Sequence, residues 1–278
     1  GGHSWLLANP RALSEVMDNV VQVQLAEQET TGIRSTTAEL RSLLRRTKIP
    51  ARVVSRLLSG ASPLWMMSER PSVLAADLAL CHPPLATAEV RAVARPMEDP
   101  ATYRLTVVAA DRPGLLADSA AVLADEGLMV LSASVATWAD GDIALHSLTL
   151  TTTTGAVPDW DILGEKLRLI ATSQRARSRY ARTGRALVTS AGSGPGRSIV
   201  KVVAPDGLGL LEAISGWFSE HAVSIEAAEI ATREGIATDR FLVDGEFEPS
   251  ELAGALSRAP TSAWDRLRVH RCHWFRTG

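Results

Sequence analysis

The stretch Asp111-Arg112-Pro113-Gly114-Leu115-Leu116 organises this 278-residue chain. It has a weaker copy, Asp206-Gly207-Leu208-Gly209-Leu210-Leu211, which begins 95 residues later. Each copy follows a short β-branched run and opens a segment with helical spacing, so each predicts a tight turn between a strand and a helix. The same offset aligns Val107-Val108-Ala109 with Val202-Val203-Ala204. A repeat that keeps its pattern and its spacing indicates two copies of one structural unit.

Length and composition limit the classes of protein to be considered. A chain of this length can hold two or three small domains with their own cores. Its formal net charge of −2 gives no global field that would favour nucleic acid or a membrane surface. No segment predicts a membrane helix or a signal peptide. Because Cys81 and Cys272 are the only cysteines, we expect no disulfide framework and a reducing cytoplasm.

Residues 1–86 are predicted to form a small helical region without catalytic features. Asn9-Pro10 is a typical helix start, and the apolar spacing then continues to Leu25. Thr36-Thr37-Ala38-Glu39 predicts a capping box for a second helix. A third helix is expected from Pro50 to Gly60, and a last one from Ser72 to Leu80.

From about Thr87 the apolar period changes to two, and strands alternate with helices in a repeated order. The first unit, 87–191, is predicted to end in a strand at Ala186-Leu187-Val188-Thr189. The second unit, 192–278, follows a linker at Gly192-Ser193-Gly194-Pro195-Gly196 and is predicted to end in a strand from Leu267 to Trp274. The fold class is therefore α+β, with two ferredoxin-like βαββαβ domains after the helical region. A shift of apolar parity in the second strand of each unit indicates a β-bulge.

These features resemble tandem ACT domains, which are small amino-acid-sensing modules. The nearer resemblance is to the C-terminal regulatory region of the bifunctional uridylyltransferase/uridylyl-removing enzymes of nitrogen control, for which Ala110 to Leu116 and Ser134-Val135-Ala136-Thr137 are typical. It covers the chain from about Val90 onward. In those enzymes the transferase and the His-Asp phosphohydrolase parts precede the ACT pair, and this chain has no His-Asp dipeptide. The resemblance therefore implies a sensor without a catalytic part.

The residues of the first loop suit an amino-acid ligand. Unpaired N–H groups at a helix start favour a carboxylate. Gly114 allows close approach, Pro113 stiffens the turn, and Asp111 can accept hydrogen bonds from an ammonium or amide group. In ACT pairs the facing wall comes from the start of a second strand. The resemblance thus implies ligand contacts at Asp111, Arg112, Pro113, Gly114, Leu115, Leu116 and Met129, and at Asp206, Gly207, Leu208, Gly209, Leu210, Leu211 and Ser224.

Two alternatives stay open at these loops. Asp-x-x-Gly is also a plain tight turn in which Asp111 caps the helix. The second copy has Gly207-Leu208 in place of Arg112-Pro113, which predicts either a looser turn or binding by only one repeat. Arg112 itself either holds a carboxylate or is a solvated loop residue.

Four other patterns are better explained without function. Asp140-Gly141-Asp142 is interpreted as a hairpin turn and not as a nucleotidyltransferase metal site. Gly192-x-Gly194-x-Gly196 precedes a strand, so it does not predict a phosphate loop. The arginines from Arg175 to Arg185 predict a solvated segment, and nucleic acid is not expected. His270-Arg271-Cys272-His273 predicts an edge strand, since alternation sends neighbouring side chains to opposite faces.

The sequence therefore predicts a non-catalytic amino-acid sensor without cofactor or metal. Glutamine is favoured by the resemblance, followed by asparagine and other small neutral amino acids. The two repeats are expected to pair edge to edge within the chain or in a homodimer, and the N-terminal helices to contact a protein partner. Two rival functions remain: an interaction scaffold whose ACT pockets are empty, and a degenerate uridylyltransferase or phosphohydrolase.

Overall fold

A computed structural model describes residues 32–138, 143–153, 155–170, 186–194 and 196–257 of the chain. The helices are α1 (32–44), α2 (Ala51–Gly60), α3 (Pro63–Met66), α4 (Pro71–Ala79), α5 (Leu115–Asp125), α6 (Trp160–Ile170), α7 (Leu210–Glu220) and α8 (Pro249–Ser257). The strands are β1 (Arg91–Pro96), β2 (Thr102–Ala110), β3 (Leu128–Trp138), β4 (Ile143–Thr152), β5 (Leu187–Gly194), β6 (Arg197–Pro205), β7 (Ser224–Arg233) and β8 (Ile236–Asp244).

All eight of these strands form one antiparallel sheet in the order β1-β2-β4-β3-β7-β8-β6-β5. The two repeats meet in its centre, where β3 pairs with β7 and Ser134 lies opposite Glu229. This pairing closes one exposed edge of each repeat. The edge-to-edge pairing expected from the sequence thus occurs within a single chain.

The sheet separates two layers of helices. Helices α5 to α8 cover one face and share one apolar core, which includes Leu123, Leu148, Ile214 and Phe218. Helices α1 to α4 pack on the other face of the first repeat, where Leu40, Trp65 and Leu78 contact a second core. Two helices on a four-stranded antiparallel sheet in each repeat confirm the ferredoxin-like α+β class.

The order of strands along the chain differs from the prediction. Strand β5, expected to close the first repeat, pairs with β6 of the second, where Val188 lies opposite Val202. The corresponding edge of the first repeat is occupied by β1, which forms a hairpin with β2. The predicted glycine linker lies in the β5–β6 hairpin, and Gly196 has a φ of 71° there. Each described repeat therefore reads ββαββα, and the βαββαβ order is wrong in this respect.

The two predicted repeats, 87–191 and 192–278, need a different boundary. Since β5 pairs with β6 and with no other described strand, we propose that the boundary between the repeats lies between Ile170 and Leu187. Four of the predicted features lie outside the described residues: the helix from Asn9, the turn at Asp140, the arginines from Arg175 to Arg185 and the strand from Leu267.

Both predicted β-bulges are confirmed. The register of β3 shifts between Val130 and Ser132, and that of β7 between Ile225 and Ala227. These positions are equivalent in the two repeats. The extra residue turns the rest of each strand to the other face, which explains the change of apolar parity seen in the sequence.

The N-terminal helices are attached to the sheet by polar as well as apolar contacts. The buried Asp77 accepts hydrogen bonds from Arg104 (2.7 Å), Thr106 (2.9 Å) and Ser147 (2.6 Å). The Trp138 indole donates to the Leu57 carbonyl at 2.7 Å, and its ring meets Trp65 edge to face. A buried carboxylate needs such donors, so these contacts fix the helical layer on the first repeat.

Two details of this layer correct the sequence analysis. The capping box at Thr36 is wrong, because residues 32–35 are already helical and Thr37 donates to the Ile33 carbonyl at 2.7 Å. The last helix of this layer, α4, begins at Pro71, and no side chain caps it, so Ser72 is not its cap.

Burial raises the pKa of the Cys81 thiol to about 12, which keeps the thiol protonated and unreactive at neutral pH. None of the described helices has the length and apolar character needed to cross a membrane.

Candidate functional site

The two Asp-x-x-Gly loops have the same backbone conformation. Gly114 and Gly209 precede α5 and α7 with φ values of 79° and 82°, a region that glycine adopts without strain. In the first loop Leu115 N–H donates to the Arg112 carbonyl at 3.2 Å, and in the second Leu210 N–H donates to the Gly207 carbonyl at 3.1 Å. The replacement of Arg112-Pro113 by Gly207-Leu208 therefore does not loosen the second turn.

Pairing of β3 with β7 brings each loop against the other repeat. The first loop, from Asp111 to Leu116, lines a cavity of about 290 Å³ together with Ser224 at the start of β7. We call it the first-loop cavity. It lies at the lower end of the size range of small-molecule sites. The sheet contributes Val135, Thr137 and His146 to its wall, and α7 contributes Ser215 and Ser219.

The second loop, from Asp206 to Leu211, faces Met129 at the start of β3. The space between them, called the second-loop cavity, measures only about 20 Å³. That volume holds about one water molecule. The predicted residues of both sites are thus brought together as expected, but around spaces of very different size.

Equivalent positions in the two walls carry different side chains. The pairs, with the first-loop cavity named first, are Ser224 and Met129, Val135 and Ile230, Ala117 and Glu212, Ser215 and Ala120, Ser219 and Ala124, and His146 and Asp239. In the first three pairs the larger residue belongs to the second-loop cavity. These side chains account for its smaller volume, since the backbone of the two loops is the same.

His146 lies in the sheet wall of the first-loop cavity. It is in β4, opposite Val107 and Val135, and its side chain is buried. Burial lowers the pKa of its imidazole from 6.5 to about 4, so the ring is neutral at physiological pH. Its Nδ1 atom is buried and makes no hydrogen bond within the described part of the chain.

Acidic side chains line the second-loop cavity, and one of them, Asp206, is hydrogen-bonded to neighbouring residues. Asp206 accepts hydrogen bonds from the Gly207 N–H and the Thr232 hydroxyl, each at 2.9 Å. Asp239 is buried, and desolvation, with the charge of Asp206 as a second cause, raises its pKa to about 7. Glu212, also buried, lines the same space. A carboxylate ligand would meet three acidic side chains there.

The side chain of Arg112 has a structural role that neither sequence interpretation included. Its guanidinium donates to Asp118 at 2.5 Å and to the Ile170 carbonyl at the C-terminus of α6, also at 2.5 Å. It therefore ties the first loop to two helices. A guanidinium held in this way positions the loop.

Sequence reasoning missed the residues that the sheet and α7 contribute. His146 was not among the predicted site residues, although its place within the largely apolar stretch Ala144-Leu145-His146-Ser147-Leu148 was a visible signal. Val135 and Ser215 carry no such signal, because small or apolar residues at these spacings are ordinary in a core. Within the described ranges, no three His, Cys, Asp or Glu side chains cluster in a way that could hold a metal ion. The His270–His273 motif lies outside those ranges.

Comparisons with known proteins add little to this geometry. No protein-family model matches the chain, and no curated protein sequence matches it significantly. Among solved structures, aspartate kinase from Synechocystis is similar over 56% of this chain, with 13% identity and a TM-score of 0.35. The similar region spans only 26% of that kinase.

Two smaller proteins are also similar in structure. A protein assigned as a glycine cleavage system transcriptional repressor matches 62% of this chain and 92% of its own, with 14% identity and a TM-score of 0.21. A protein of unknown function from Galdieria sulphuraria matches 56% of this chain and 89% of its own, with 20% identity and a TM-score of 0.22. At TM-scores this low, none of the three likenesses bears on ligand or activity.

Proposed function

We propose that this chain is a regulatory sensor that binds a free amino acid in the first-loop cavity. The single observation that carries the proposal is the cavity of about 290 Å³ between the first loop and the start of β7. Its loop side presents the N-terminus of α5, where backbone N–H groups and the helix dipole favour an α-carboxylate. Asp111 and Ser224 line the same space and can accept hydrogen bonds from an α-ammonium group.

Only one of the two cavities is assigned this role. The second-loop cavity has room for about one water molecule, and the carboxyl side chains of Asp206, Glu212 and Asp239 line it. The charge of Asp206, which also contributes to the raised pKa of Asp239, would oppose the α-carboxylate that an amino acid must bring. The sequence left open either a looser second turn or binding by only one repeat. We favour binding by only one repeat, the first.

Glutamine is the first candidate ligand, on the resemblance to the uridylyltransferase regulatory region alone. Asparagine and other small neutral amino acids follow. A sensor of an abundant metabolite is expected to bind with a dissociation constant of roughly 10 μM to 1 mM, equivalent to about −4 to −7 kcal/mol. Charge-assisted contacts at both ends of the α-amino acid can supply that free energy, net of the costs of ordering.

A non-catalytic role fits the chemistry of the cavity better than an enzymatic one. A general base works best when its pKa lies near the working pH, and burial holds the pKa of His146 at about 4. The hydroxyl of Ser215 donates to the Leu211 carbonyl at 2.5 Å, so it is engaged within its own helix. We further propose that the chain passes its signal to a protein partner in the cytoplasm and that it also forms homodimers.

A thermal-unfolding screen against the twenty amino acids at about 10 mM tests the proposal. A ligand at a hundred times its dissociation constant stabilises a protein by roughly 2.7 kcal/mol. At about 2–4 °C per kcal/mol, the midpoint should rise by several degrees. We expect Asp111→Ala to abolish the shift and the matched variant Asp206→Ala to keep it. No shift with any amino acid would favour an interaction scaffold, and metal-dependent turnover of a nucleotide substrate would favour a degenerate enzyme.

A further inference from the structure

Two chemically different parts line the first-loop cavity. One is the start of α5, with Gly114 and Leu115. The other is the sheet, where His146 lies between Val107 of β2 and Val135 of β3. An α-amino acid held by its carboxylate at the helix start leaves its side chain for the rest of the cavity wall, to which the sheet end with His146 belongs.

His146 is the polar group of that end whose bonding is incomplete. Its Nδ1 atom is buried and has no hydrogen-bond partner among the described residues. Its neighbours on the same face of the sheet, Ala144 and Leu148 along the strand and Val107 and Val135 across it, are apolar and buried. A buried polar atom without a partner is unfavourable, and a ligand relieves that cost if it brings a matching hydrogen-bonding group.

We propose that His146 determines the specificity of the first-loop cavity by hydrogen bonding to the ligand's side chain, so that the cavity selects amino acids whose side chain ends in an uncharged amide or hydroxyl group. The inference rests on the proposed function and adds the residue that reads the side chain. An apolar side chain of equal size would leave the Nδ1 atom buried without a partner. A charged side chain would lose its hydration against a neutral ring and apolar neighbours.

The charge state of the ring supports this choice of ligand class. Burial keeps the imidazole neutral above about pH 4, so it offers one N–H donor and one acceptor nitrogen. Amide and hydroxyl groups can both donate and accept, and so can pair with either nitrogen. The equivalent residue of the second-loop cavity is Asp239, which makes that position a matched control outside the proposed ligand site.

The test compares pairs of amino acids that differ in polarity but little in shape. Isothermal titration calorimetry would measure asparagine against leucine and threonine against valine, with glutamine and methionine as a longer pair. For the wild-type chain we expect the polar member of the best-binding pair to bind at least tenfold more tightly. His146→Leu should reduce that ratio to about threefold or less, whereas His146→Asn and Asp239→Asn should retain it.

Each result bears on either the inference or the function beneath it. If no amino acid binds the wild-type chain, the proposed function fails and the inference falls with it. If amino acids bind but polar and apolar members bind equally, or His146→Leu leaves the ratio unchanged, the function stands and the inference is wrong. Should His146→Leu not fold, the imidazole ¹⁵N resonances of the wild-type chain decide. They must shift on adding the polar ligand, and a constant ring spectrum at saturation would overturn the inference.

Discussion

The two loop cavities share a backbone and differ in what fills them. Their glycines have φ values within a few degrees of each other, and in both turns the first leucine N–H donates to the carbonyl of the second loop residue. Yet one space measures about 290 Å³ and the other about 20 Å³. The comparison teaches that the turn motif sets the frame of a site, whereas the facing strand and helix determine whether a ligand has room.

The difference can be traced to three positions in the cavity walls. Met129, Ile230 and Glu212 occupy the second-loop cavity where Ser224, Val135 and Ala117 line the first. Each of these larger residues adds side-chain volume to the second-loop cavity. Interiors are packed close to the density of organic crystals, so a few added heavy atoms are enough to remove a ligand-sized space.

The largest effect is expected from exchanging one of these positions. Ser224→Met places the longer side chain at the mouth of the first-loop cavity, and we expect amino-acid affinity to fall a hundredfold or more, about 2.7 kcal/mol. The free energy of unfolding should change little, because Ser224 is exposed. Titration calorimetry measures the first quantity and chemical denaturation the second.

The matched variant is Met129→Ser in the second-loop cavity. It should leave the affinity of the first-loop cavity within about twofold of the wild type, because additivity holds for sites without shared contacts. If Ser224→Met kept full affinity, the ligand would have to bind elsewhere, and the comparison of the two cavities would lose its meaning.

The sequence predicted the frame of this site better than its walls. The offset between Asp111 and Asp206 correctly indicated two equivalent turns, and alternation located β3, β4, β7 and β8. Ser224 and Met129 were placed opposite the loops by resemblance. The contributions of His146 and Ser215 depend on how β4 and α7 pack around the cavity, and no local pattern encodes that packing.

The strand order was mispredicted for a related reason. The run from Leu187 has the composition of a strand, but composition does not say which neighbour it pairs with. Its partner is fixed by the hairpin at Gly196, where a φ of 71° allows a tight reversal into Arg197. The glycine-rich segment was interpreted as a linker because glycine is equally typical of linkers and of hairpin turns.

A second pair of variants tests whether the two turns are equally constrained. Gly114→Ala and Gly209→Ala each force a side chain into left-handed backbone, which costs roughly 1–2 kcal/mol. We expect similar losses of stability in the two variants, seen as a fall of about 2–8 °C in the unfolding midpoint. Amino-acid binding should weaken in Gly114→Ala and persist in Gly209→Ala.

Unequal losses of stability would show that the two turns differ in strain despite their matching φ values. Equal losses of binding would instead show that the second loop takes part in ligand binding. The measurements are a thermal melt without ligand and a calorimetric titration of each variant. Circular dichroism confirms that both variants retain the fold.

The smallest expected effect is that of pH on the free energy of unfolding. His146 and Asp239 change it in opposite directions. The pKa of Asp239 is raised from 3.8 to about 7, so in that interval the folded chain keeps a proton that the unfolded chain releases. The free energy of unfolding therefore falls as pH rises through it. The pKa of His146 is lowered from 6.5 to about 4, so there the unfolded chain takes up a proton that the folded chain does not, and the free energy of unfolding rises with pH.

Between about pH 4 and 6.5 the two slopes, each at most about 1.4 kcal/mol per pH unit, should largely cancel in the wild-type chain. Single variants would expose them. In Asp239→Asn, stability should rise with pH across this window, and in His146→Gln it should fall, when followed by chemical denaturation at half-unit steps. If both variants kept the wild-type profile, neither group would titrate as its burial requires. The equivalent positions of the two cavities would then differ in shape alone, without the difference in charge that we assign to them.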